Sequence, residues 1–92
     1  MHKQKTFKFY ADSGHGWVAV KRNLLTDLSI QDKITQFSYQ KGNTVYLEAG
    51  CDASTFFVAY GEKHGYDSFF ITVVKYINNY SPIRSYERYI NE

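Results

Sequence analysis

Ring-bearing side chains constrain this sequence more than anything else in it. Nine tyrosines, seven phenylalanines and one tryptophan fall within 92 residues. A domain of that size has a small interior. Phenylalanine fills such an interior readily, but each tyrosine hydroxyl needs water or a hydrogen-bond partner. So many tyrosines imply an amphipathic surface as well as a core. Surfaces of that kind bind proteins, where tyrosine is enriched, or stack nucleobases.

The length fits one domain over residues 1–92. The 43% of apolar residues excludes a disordered chain. No apolar run approaches the ~20 residues of a membrane-spanning helix; the longest, Phe69 to Val74, is broken by Thr72. The charged start Met1-His2-Lys3-Gln4-Lys5 is not followed by the apolar stretch of a signal peptide. A single cysteine, Cys51, forbids an intrachain disulfide. These features lead to the expectation of a cytoplasmic protein with no membrane segment.

Periodicity predicts two hairpins. Lys5 to Ala11 alternates, with Phe7 and Phe9 on one face; Asp12-Ser13-Gly14-His15-Gly16 has turn chemistry; Trp17 to Lys21 alternates again. A short helix over Arg22 to Leu28 is expected from Leu24, Leu25 and Leu28, with Asn23 as its candidate cap. Asp32 to Gln40 and Thr44 to Glu48 read as the second hairpin around Lys41-Gly42-Asn43. Asp52 is a candidate N-cap for a helix from Ala53 to His64 that stops at Gly65. Gly61 inside that helix implies a close approach by another element. Ser68 to Ile77, apolar on both faces, reads as an interior strand. A turn at Asn78-Asn79 leads to a tail, Tyr80 to Ile90, expected to pack as an edge strand or ordered arm. The expected fold is therefore α+β: a curled antiparallel sheet of about five strands, in the order β-β-α-β-β-α-β, packed on the Ala53–His64 helix with a C-terminal extended arm.

Three places could carry chemistry. Asp12, Ser13 and His15 share one loop, where neighbouring side chains splay apart; the reading there is a turn in which Asp12 or Ser13 bonds the backbone and His15 is exposed. Cys51 precedes a helix N-terminus, where a pairing with His15 or His64 would make it a nucleophile; the reading preferred is a small buried apolar residue. Three scattered histidines and one cysteine give no metal spacing, and no glycine pattern of a nucleotide site occurs. Hence no catalytic residue, metal or cofactor is expected. The tail is the third place: Tyr80, Tyr86 and Tyr89 interleave with Arg84 and Arg88, a mixture suited to protein hot spots or to phosphate contact.

The stretches Phe9-Tyr10-Ala11-Asp12-Ser13-Gly14-His15-Gly16-Trp17, Ser38-Tyr39-Gln40-Lys41-Gly42 with Val45-Tyr46-Leu47-Glu48, Cys51-Asp52-Ala53 and Ser81-Pro82-Ile83-Arg84-Ser85-Tyr86 resemble a group of small, functionally uncharacterised proteins carried by bacteriophages and conjugative plasmids. The resemblance covers most of the chain, although Ala49-Gly50 stand where further acidic residues would follow Glu48. It implies an accessory protein of a mobile element, an origin shared by inhibitors of host defence such as anti-CRISPR proteins.

The functional expectation is a non-enzymatic protein that binds and modulates or inhibits a host protein. Its candidate contact residues are His15, Trp17, Tyr80, Arg84, Tyr86 and Arg88. The alternative is a small nucleic-acid-binding module with a basic, Tyr-rich face built from Lys3, Lys5, Lys8, Arg84 and Arg88. A second copy of the chain is a further candidate partner, along an exposed strand or through the tail.

Overall fold

A computed structural model describes residues 5–75 and 81–91. Lys3, Tyr80, the expected strand end at Tyr76-Ile77 and the turn at Asn78-Asn79 lie outside the described residues. The first hairpin forms as its alternation dictates. β1 (Lys5–Ala11) and β2 (Gly16–Lys21) pair antiparallel, with Lys8 opposite Ala19 and Tyr10 opposite Trp17. α1 (Arg22–Asp27) follows directly and buries Leu25; Lys21, not Asn23, holds its N-cap position. The second hairpin joins β3 (Tyr39–Lys41) to β4 (Thr44–Glu48) through Gly42, whose φ of 60° suits a residue without a side chain. Then come α2 (Cys51–His64), β5 (Phe69–Lys75), a 3-10 turn over Pro82–Ser85 and the two-residue β6 (Glu87–Arg88).

The described strands form one six-stranded sheet in the order β5-β1-β2-β4-β3-β6. The architecture is α+β, with one main helix on an open sheet, as expected. Three expectations need correction. The sheet is mixed, because β5 runs parallel to β1. The hairpins already set β4 parallel to β1, and a helix crossover returns the chain in the direction it left. At ~1.5 Å per residue, the 14 residues of α2 reach across the strands between β4 and β5. β5 is accordingly an edge strand, not an interior one.

The second correction concerns Asp32 to Gln40, where only the last two residues are strand and the rest is turns and irregular chain. The buried Asp52 carboxylate explains this. Its Oδ2 accepts from Thr35 N (3.0 Å), Thr35 Oγ1 (2.7 Å) and Ser38 Oγ (2.5 Å), folding that segment onto the helix start. Local hydroxyl bonds of this kind compete with a ladder. The third correction follows: Asp52 lies inside the first turn of α2, and Gly50 occupies the N-cap.

The core lies between α2 and one face of the sheet. Phe7 is its centre, edge-on to Phe56 (5.1 Å) and Tyr60 (5.2 Å). Val18, Val20, Val45, Leu47, Leu25 and Ala53 belong to the same cluster, and Ile30, Ile34 and the tail's Tyr89 complete it. Gly61 sits under the Tyr66 ring, which a Cβ would strike, so the close approach is present but comes from the turn after α2 rather than from another element. Among the described residues no helix is long and apolar enough to cross a membrane.

Phe56 is fully buried, so Phe56→Ala should remove ~3–5 kcal/mol of stability in a denaturant titration. A loss below ~1 kcal/mol would mean that α2 does not seal this core.

Candidate functional site

The site begins with the Asp12 loop. Asp12 Oδ1 accepts from the backbone N–H of Gly14 (3.0 Å) and His15 (2.9 Å), the turn expected of Asp in such a loop. The same carboxylate receives Arg84 in two-pronged fashion, Nε to Oδ2 at 2.7 Å and Nη2 to Oδ1 at 2.9 Å. Ser81 N adds a bond to Oδ2 at 3.0 Å. Asp12 has no exposed side-chain surface. The Arg84 guanidinium holds its carboxyl well below the usual carboxylate range; burial opposes this, and the N–H groups of Ser81, Gly14 and His15 reinforce it.

This clamp positions the first tail residues over the hairpin. Arg84 Nη2 also donates to His15 Nδ1 (2.9 Å), which leaves the proton of the neutral ring on Nε2. The His15 ring stacks on Trp17 at 5.9 Å, and the Arg84 guanidinium lies 5.7 Å above the same indole. Downstream, Arg88 sits 4.7 Å over the Tyr39 ring and donates Nη1 to Gln36 O (3.2 Å). Trp17 and Tyr39 meet edge to face at 6.1 Å. Together His15, Trp17, Phe37, Tyr39, Glu48, Arg84 and Arg88 enclose a cleft of about 230 Å³.

A second anchor fixes the far end of the tail. Arg22 Nη1 donates to Ile90 O (3.0 Å), Arg22 Nη2 donates to Gln40 Oε1, and Ile90 N donates to the same oxygen (3.0 Å). Gln40 Nε2 donates to Glu87 Oε1 at 2.6 Å. Tyr89 is buried and gives its hydroxyl proton to Gln31 O (2.5 Å); burial pushes this phenol up from its ordinary value.

Four of the six expected contact residues therefore share one cleft: His15, Trp17, Arg84 and Arg88. Trp17 is its floor rather than a projecting anchor, at 1% exposure, and its Nε1 has no acceptor among the described residues. Tyr86 lies elsewhere, tilted on Tyr46 at 5.1 Å with Lys41 Nζ 4.8 Å from its ring. No family model, curated protein or solved structure matches the chain. Phe37, Tyr39 and Glu48 were not singled out from sequence. Tyr39 and Glu48 join the site only through strand register, which sets Trp17 opposite Glu48 and Tyr39 opposite Arg88.

The expected basic face is not assembled from its named members. Lys8 and Arg88 end one cross-sheet row, Lys8–Ala19–Tyr46–Tyr39–Arg88, about 19 Å apart at ~4.8 Å per strand. Lys5 stays with Lys8 on β1, away from Arg84 and Arg88. Cys51, expected to be buried, is instead exposed in the first turn of α2. Among the described residues no group of three or more His, Cys, Asp or Glu side chains is arranged to hold a metal ion.

The depressed Asp12 carboxyl gives a pH prediction. A folded-state value below the unfolded ~3.9 means that the unfolded chain binds this proton more tightly. The clamp's contribution is therefore full above pH ~4 and shrinks as the pH falls below it. Thermal melts of wild type and Asp12→Asn should differ by several degrees at neutral pH and converge in acid. Arg84→Ala should lower the neutral-pH melting temperature at least as much, because it strands a sequestered carboxylate. Equal melting curves at neutral pH would show that the clamp adds nothing.

Proposed function

We propose that this chain is a non-enzymatic binding protein that covers a surface of a host protein, with the cleft between the Asp12 loop and the tail receiving a partner side chain. One observation supports this reading above others: two guanidiniums lie on aromatic faces, Arg84 over Trp17 and Arg88 over Tyr39, in one cleft. Arginine, tryptophan and tyrosine in a partly desolvated pocket are the chemistry of interface hot spots. Phe37, 68% exposed at the rim, is apolar surface for a partner to cover. A carboxylate entering the cleft would meet the Arg84 and Arg88 guanidiniums at its wall.

The resemblance to proteins of phages and conjugative plasmids narrows the proposal. The partner is a host-defence component, the effect is anti-CRISPR-like inhibition, and the site of action is the cytoplasm, where the exposed Cys51 thiol stays reduced. Phe37→Ala should leave the melting temperature near wild type, since its side chain projects outward, and Arg88→Glu should lower it only slightly, because the exposed Tyr39 and Gln36 contacts that it gives up are each worth about 1 kcal/mol or less. Each should weaken partner binding by ~2 kcal/mol, about 30-fold. The check is quantitative affinity purification from host cells, followed by phage infection with the retained defence system present. A host protein held by wild type and lost by both variants supports the reading. Binding and protection identical in all three proteins would refute it.

A second reading has its own observation. The sheet face turned away from α2 carries Lys8, Lys21, Lys41, Arg84 and Arg88 against Asp12 and Glu48, and Tyr10, Tyr39 and Tyr46 lie among them. Single-stranded nucleic acid would meet lysines and rings in alternation there. A gel shift at low salt should then weaken with a log–log slope of about −2, as for three phosphate contacts at ~0.7 each. No shift at low salt removes this reading.

A further inference from the structure

The two edges of the sheet are built differently. β6 is two residues long and both are charged, which blunts that edge. β5 is seven residues long and carries a single charge, Lys75, at its end. Phe70, Ile71 and Val73 are 57%, 49% and 53% exposed, so apolar surface lies open on both faces of this strand. It has no proline, and its register with β1 runs unbroken from Phe69 to Lys75. Among the described residues this edge is unpaired, apolar and regular, which makes it a template for another strand.

The backbone says which strand fits. Lys5 is opposite Phe69 and its N–H donates to Ser68 O (3.1 Å). In a parallel ladder that parity turns the peptide groups of Phe70, Thr72 and Val74 toward β1 and those of Phe69, Ile71, Val73 and Lys75 outward. We infer that β5 pairs antiparallel with β5 of a second copy, about a two-fold axis at Thr72. That register pairs Ile71 with Val73 and Phe69 with Lys75 of the second copy, so every outward amide and carbonyl of the strand finds a partner. It also sets Phe70 against Val74 on the open face and Ile71 against Val73 on the helix face, covering the exposed side chains on both. No like charges meet. Lys75 of each copy arrives at the end of the strand that Asp67 precedes, which makes the two ends complementary in charge. The result is one continuous sheet through two chains, an isologous contact that closes on itself. It leaves the cleft at the other side of the sheet unobstructed, and so stands apart from the binding proposal above.

Sedimentation equilibrium of the full chain should give twice the chain mass. Thr72→Lys puts two ammonium groups on the axis at an exposed position and should return the monomer with an unchanged circular dichroism spectrum. In a Cys51→Ser background, Thr72→Cys should oxidise to a disulfide-linked dimer, whereas Phe70→Cys should not, because its own copy lies four residues away in this register. A wild-type monomer at all concentrations overturns the inference, whether or not β5 accepts a strand from another protein. So does a dimer that survives Thr72→Lys, or equal cross-linking at Phe70 and Thr72.

Discussion

The Asp12 carboxylate is the point on which the rest of this structure turns. It sits in the loop of the first hairpin and receives Arg84 from the tail, 72 residues later in sequence. The same group orders its own loop through Gly14 and His15 and takes Ser81 N from the start of the tail. A carboxylate with no exposed surface must have its lone pairs met by donors. Here the donors come from both segments at once, so neither can leave without stranding the other. The loop and the tail are therefore one structural unit, and the cleft between them is a consequence of that coupling.

The sheet separates two kinds of aromatic use. On the α2 side, Phe7, Phe56 and Tyr60 form the apolar core that any small α+β domain requires. On the other side, rings meet cations: Arg84 over Trp17, Arg88 over Tyr39 and Lys41 over Tyr86. The tail starts on that face, held by Asp12, and then joins the sheet edge as β6, where Gln40 and Arg22 on the α2 side fix its last residues and Tyr89 enters the core. A short polar tail could not have covered an indole as large as Trp17. The Arg84 guanidinium and the His15 ring lie on that indole, and Tyr86 lies on Tyr46 beside it in the sheet. This division answers the surplus of tyrosine: among the described residues few rings project freely, and most act as platforms under a cation or as partners in ring contacts.

Local pattern carried the parts of the fold that are local. Alternation located β1, β2 and β4, the Gly65 stop located the end of α2, and Gly61 foretold a close contact that Tyr66 makes. Long-range bonds decided the rest. Thr35 and Ser38 look like strand residues until the Asp52 carboxylate captures their hydroxyls. β5 looks like an interior strand because it is apolar on both faces, yet the α2 crossover delivers it to the edge. The cleft was half legible. His15, Trp17, Arg84 and Arg88 were recognisable by residue type, but Tyr39 and Glu48 enter through a register that composition does not encode. Phe37, at the rim, alternates with its neighbours as a strand residue would, yet lies in a turn.

The coupling of loop and tail can be tested directly by amide hydrogen exchange, residue by residue, in wild type and Asp12→Asn. Removing the charged acceptor should raise exchange together at His15 N in the loop and at Ser81 N in the tail, while the amides of Val18 and Leu47 in the core strands stay protected. Faster exchange confined to the loop, with Ser81 unchanged, would show that the tail is held by other contacts and that Asp12 does not join the two segments.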